Sequence, residues 1–94
     1  MAPHHHIYAI IEERFLVKNE NVVKFGIVND ISKLGNAYVV GVIYIKSQNV
    51  DVAKASLLSA ARSMFTPTSY GDDYFIGERG DMLDLINKIA MEYM

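Results

Sequence analysis

Apolar positions come in unbroken runs in the first half of the chain and at helical spacing in the second. Residues 7–11, Ile-Tyr-Ala-Ile-Ile, form a β-branched run that predicts a strand buried on both faces. Glu12-Glu13-Arg14 reads as its polar exit, and Lys18-Asn19-Glu20-Asn21 as a turn in which Asn tolerates left-handed backbone. Residues 22–28 predict the returning strand, so 7–28 is a hairpin with a long tip. Gly26 within that strand predicts a bulge or the close approach of another group. Residues 29–34 allow at most two turns of helix, capped by Asn29 or Asp30 and ended by Gly35-Asn36. The apolar run 37–46 then predicts a third strand, central in its sheet and covered on both sides.

From residue 50 the period changes. Ala53, Leu57, Ala60, Ala61 and Met64 share one face of a helix over 50–65, with Lys54, Ser59, Arg62 and Ser63 opposite. Asn49 or Asp51 is the expected N-cap, and Thr66-Pro67-Thr68 the stop, because proline cannot continue the hydrogen-bond ladder. Residues 74–76 read as a short edge strand. A last helix over about 81–93 buries Met82, Leu85, Ile86, Ile89, Ala90 and Tyr93. Asp81 and Asp84 are expected in its first turn, where they favour the helix dipole. The order β-hairpin, turn, β, α, small β, α predicts an α/β (α+β) domain: a three-stranded antiparallel sheet, formed by 7–11, 22–28 and 38–45, with flanking helices.

Composition narrows the chemistry. The 94 residues make one domain, 51% hydrophobic, with no cysteine and a net charge of −2. No thiolate site or disulfide framework is available, which fits a reducing, intracellular compartment. No apolar run approaches the roughly 18 residues of a membrane span, and no secretory leader is expected from the charge pattern at the start. Residues 48–94 hold four Lys/Arg against seven Asp/Glu, so no basic stripe for nucleic acid is visible. His4-His5-His6 is read as a tag remnant, a native tail or a metal site; residues 1–6 are taken as a flexible tail and 7–94 as the domain.

Three segments together carry a family resemblance. Residues 7–15 (Ile-Tyr-Ala-Ile-Ile-Glu-Glu-Arg-Phe), 21–26 (Asn-Val-Val-Lys-Phe-Gly) and 70–77 (Tyr-Gly-Asp-Asp-Tyr-Phe-Ile-Gly) resemble, in order and spacing, the GIY-YIG nuclease domains of phages and large DNA viruses. The resemblance covers about 7–90. It implies a site built from tyrosines on the first two strands, an arginine on the following helix, and a glutamate on a later helix that holds one divalent metal. Tyr8 stands at the first tyrosine, Lys24 at the second and Lys33 at the arginine. Lysine keeps the charge but lacks the planar fork of arginine. The glutamate is missing: helix 50–65 has no acid after Asp51, and Ala53, Ala55 or Ser56 stand where it is expected. Without that carboxylate Mg²⁺ has no anchor.

Each retained residue also has a plain reading, Tyr8 as a core aromatic and Lys24 and Lys33 as solvated charges. Asp72, Asp73, Glu78, Asp81 and Asp84 lack the alternating ligand spacing of a calcium loop. Ser56, Ser59 and Ser63 have no histidine at helical spacing, which argues against a serine nucleophile. The expected role is therefore a catalytically inactive GIY-YIG-like domain acting as a protein-interaction or structural module. Tyrosines at 38, 44, 70, 74 and 93 supply contact surface where exposed, and a homodimer is one form the interaction takes. No cofactor or metal and no membrane are expected, and nucleic acid is expected to bind weakly. By the resemblance the origin is viral, with the virion or host cytoplasm as the location. Two rivals stay open. One is a metal-dependent DNA endonuclease using Mg²⁺, with Glu78 or Asp73 replacing the lost acid; the other is a non-cleaving nucleic-acid binder.

Overall fold

The computed structural model describes residues 4–93, with side chains from 5 to 93. β1 (His4–Ile11) and β2 (Val22–Val28) form the expected antiparallel hairpin, with Ile7 opposite Ile27 and Ala9 opposite Phe25. The tip is more than a loop. Glu13–Val17 winds into a short helix, α1, whose Phe15 is buried, and Asn19 closes the return at φ 57°. Asp30 caps a single 3₁₀ turn over Ile31–Leu34 by accepting the Ser32 N–H, and Gly35 ends it at φ 62°. β3 (Tyr38–Lys46) pairs with β1. α2 (Val50–Met64), β4 (Thr66–Thr68), β5 (Gly71–Ile76) and α3 (Arg79–Glu92) complete the chain.

The sheet has five antiparallel strands in the order β3-β1-β2-β5-β4, not three. β5 is six residues long and pairs with β2, placing Lys24 opposite Tyr74. β4 lies outside it and contains Pro67, which the sequence reading took only as a helix stop. An edge strand with one solvent-facing side tolerates proline, and β4 occupies that position.

β3 is the larger correction. It is not central. It is the other edge strand, and of its nine residues Ile45 alone is buried. An apolar run is a necessary mark of a doubly covered strand, not a sufficient one. The tail assignment for residues 4–6 also changes, because His4, His5 and His6 pair with Lys46, Ile45 and Tyr44 and so lengthen β1. Residues 1–3 of that assignment lie outside the described residues.

The core lies between the sheet and α2/α3. Ile7, Ala9 and Ile11 from β1 meet Val23, Phe25 and Phe75, and above them Ala53, Leu57, Ala61, Met82, Ile86 and Ile89. Leu58 and Ala60 are half-buried against this core, whereas Met64 at the end of α2 is exposed. Asn49 precedes α2 but gives it no side-chain cap; its amide donates to the Tyr93 carbonyl at 2.7 Å. α3 starts two residues earlier than expected, so Asp84 falls beyond its first turn. Gly41 of β3 faces α3: a Cβ there would meet Leu83 Cδ1 at 2.5 Å and Ile86 Cδ1 at 2.7 Å.

Candidate functional site

Strand alternation sends Tyr8 and Ile10 to the sheet face away from this core; both are buried, yet neither belongs to the main cluster. The Tyr8 ring crosses over Gly26, so that a Cβ on Gly26 would collide with the Tyr8 hydroxyl and ring. Of the two readings of Gly26, close approach holds, since pairing continues without a shift through Tyr8 opposite Gly26. The irregularity is instead between β1 and β3, where Ala9 pairs with Gly41 and Ile10 with Val39, leaving Val40 as an extra residue.

Tyr8, Lys24 and Lys33 line one depression of about 240 Å³, together with Glu12, Glu13 and Asn36. Three residues singled out from separate segments thus meet at one place. The hairpin register supplies Tyr8 and Lys24, and the 3₁₀ turn supplies Lys33.

Glu12 is the central group of this face, and the sequence reading treated it as a mere strand exit. Both of its oxygens accept from the Tyr74 hydroxyl, at 3.0 and 2.9 Å. Arg14 Nε donates to Oε1 at 3.1 Å, and Lys24 Nζ stands 4.0 Å from Oε2. A parity argument would have found it, because Tyr8, Ile10 and Glu12 occupy alternate positions and so share a face. Tyr74 was likewise read as strand and contact surface, without a partner in Glu12. Arg14 spreads over Phe15, Tyr70 and Tyr74, its guanidinium 4.6, 5.5 and 5.4 Å from the ring centres.

The electrostatics follow from this packing. Burial pushes the Tyr8 phenol above its ordinary value, and Asp73, Tyr74 and Glu12 push it the same way; Lys24 acts in the opposite sense. A phenol held protonated is a poor general base at neutral pH. Burial lowers Lys24, but Tyr8, Tyr74, Asp73 and Glu12 outweigh it, and the ammonium titrates above its usual range. Lys33 Nζ donates to Asn29 at 2.8 Å, a local bond along the turn.

Glu12 already accepts from Tyr74 and Arg14 and has Lys24 beside it, so a further cation would displace or face existing positive charge. α2 turns Ala53, Leu57 and Ala61 inward and offers no acid there. Asp73 lies close enough for its charge to act on Tyr8 and Lys24, whereas Glu78 precedes α3 and does not line the depression. Among the described residues, no group of three or more His, Cys, Asp or Glu is placed to hold a metal ion, and no helix is long and apolar enough to cross a membrane. No protein-family model, curated protein or solved structure matches the chain.

Proposed function

We propose that this chain is a non-catalytic GIY-YIG-like domain, of viral origin by its resemblance, that works through protein contacts. One observation carries the reading. β3 is an edge strand with Tyr38, Val39, Val42 and Tyr44 between 38% and 49% exposed, so a long apolar strand stands open along one side of the molecule. Open edges of this kind pair with another chain. The layout of Tyr8, Lys24 and Lys33 around one depression supports the family resemblance, and the engagement of Glu12 by Tyr74, Arg14 and Lys24 supports the loss of chemistry.

The same convergence favours a second reading, in which the face holds nucleic acid with or without Mg²⁺-dependent cleavage. Against it, Lys24 is balanced by Glu12. A plasmid-nicking assay with Mg²⁺ or Mn²⁺ separates the two: the expected result is no cleavage and weak, salt-sensitive binding. Metal-dependent cleavage that disappears in Tyr8→Phe would restore the nuclease. The interaction reading is tested by affinity capture from the native source with wild-type and Val42→Lys baits side by side. Partners retained equally by both baits would move the contact surface away from β3.

A further inference from the structure

We infer that the strand which pairs with β3 is β3 of a second copy, joined antiparallel across a two-fold axis at Ile43, so that two five-stranded sheets become one of ten strands. The inference rests on the interaction reading and names its partner.

Four observations lead to a second copy. First, the pairing must use the regular part of β3. The extra residue at Val40 interrupts the ladder, so the unbroken stretch runs from Gly41 to Lys46. Second, that stretch complements itself. With Ile43 opposite the partner's Ile43, Val42 faces the partner's Tyr44 and Gly41 faces the partner's Ile45. β-branched against β-branched and aromatic against β-branched are favourable cross-strand pairs. Antiparallel strands related by a two-fold axis normal to the sheet keep each side chain on its own face, as these pairs require.

Third, the charges permit it. Lys46 is the one charged residue in β3. In this register it faces the partner's Val40, and the two Lys46 stand roughly 20 Å apart at a rise of about 3.4 Å per residue. Fourth, the far edge closes the assembly. Pairing β3 with the partner's β4 would repeat without end and make a filament. β4 offers only three residues, and Pro67 has no N–H to give. The isologous contact leaves both β4 edges outermost, where nothing adds to them.

The contact is small. A paired stretch of about 20 Å, with side chains reaching about 10 Å to each side, covers about 400 Å² on each partner, or about 800 Å² in total, below the standard size for a stable complex. The dimer is therefore expected to be weak and reversible.

The test is sedimentation equilibrium of the full chain from roughly 5 to 500 μM, a range in which weak, reversible association shows as a rising mass, combined with amide exchange over β3. The expected result is a concentration-dependent dimer whose amides in 41–45 gain protection as the dimer forms. Val42→Lys weakens it at least tenfold. Val39→Lys, equally exposed but beyond the paired stretch, weakens it less. Ile43→Cys in this cysteine-free chain forms a disulfide-linked dimer on mild oxidation, because residues on the axis lie within disulfide range; Val39→Cys does not. Circular dichroism confirms that each variant is folded. A dimer indifferent to Val42→Lys, or a chain that stays monomeric throughout, overturns the inference. In the monomeric case a synthetic extended Val/Thr peptide is added. Protection of 41–45 by that peptide would keep the interaction reading while sinking self-pairing, and no protection would sink both.

Discussion

At one edge of the sheet β3 runs for nine residues with a single charged side chain at its end; at the other, β4 runs for three and carries a proline. β3 pairs with β1 and β4 with β5, and both edges belong to one antiparallel sheet. β4 is blunted in two independent ways, by its length and by a missing N–H. β3 has neither of these protections: its bulge at Val40 and its charge at Lys46 leave Val42 and Tyr44 exposed between them. The difference shows that edge status alone does not make a strand a docking site. Length, side-chain chemistry and an edge position must coincide, and here they coincide on one side only.

The largest expected effect asks whether the two edges hang on one core. Leu57 is fully buried in the cluster that supports the whole sheet. Leu57→Ala should cost about 2–5 kcal/mol, and amide exchange should accelerate at β3 and β4 alike. A loss felt at one edge alone would divide the core in two.

A substitution on β3 itself should act more locally. Gly41→Val places its side chain against Leu83 and Ile86, with 2.5 and 2.7 Å already the distance from a bare Cβ. The expected cost is about 1–3 kcal/mol, read from denaturant unfolding, with faster exchange along β3 and α3. An unchanged midpoint would mean that α3 does not rest on the edge strand.

Changing the guarded edge should leave stability nearly alone and alter association. Pro67→Val restores an N–H on an exposed strand, for a stability change within about 1 kcal/mol. Light scattering should then rise with concentration, because β4 gains a donor with which to extend the sheet. No change in scattering would show that the three-residue length is protection enough.

The smallest effect concerns the face beside β3. Tyr8, opposite Val42, is held protonated chiefly by burial, so its folded value is raised above the ordinary 10.0. A raised value gives a contribution present below pH 10 that is lost as pH rises through the folded value. Tyr8→Phe should change stability by less than about 1 kcal/mol at neutral pH, yet flatten the decline above pH 10 seen in urea midpoints. Identical alkaline profiles would place the titration elsewhere.

The depression was legible in part. Tyr8, Lys24 and Lys33 were picked out by the family resemblance alone, and the hairpin register together with the 3₁₀ turn brings them to one depression. Glu12 and Tyr74 were passed over because their link spans 62 positions of sequence and depends on β5 lying beside β2. Neither Lys24 opposite Tyr74 nor the stacking of Arg14 over three rings is written in any local pattern.

What the sequence determined by itself is local. Unbroken apolar, β-branched runs marked the first three strands, and a period of 3.6 residues marked both long helices and the buried stripe of α3, because helical spacing is a consequence of backbone geometry. Asn19 and Gly35 take left-handed conformations where turn chemistry asks for them. Tertiary structure alone decided strand order. An apolar run can satisfy burial from a helix on one side and a neighbouring strand on the other, or stand at an edge and leave that demand open. β3 reads as a centre and sits at a rim, since its neighbours were set by which hairpin β5 joined. That choice is made by long-range pairing and core closure, to which no window of nine residues has access.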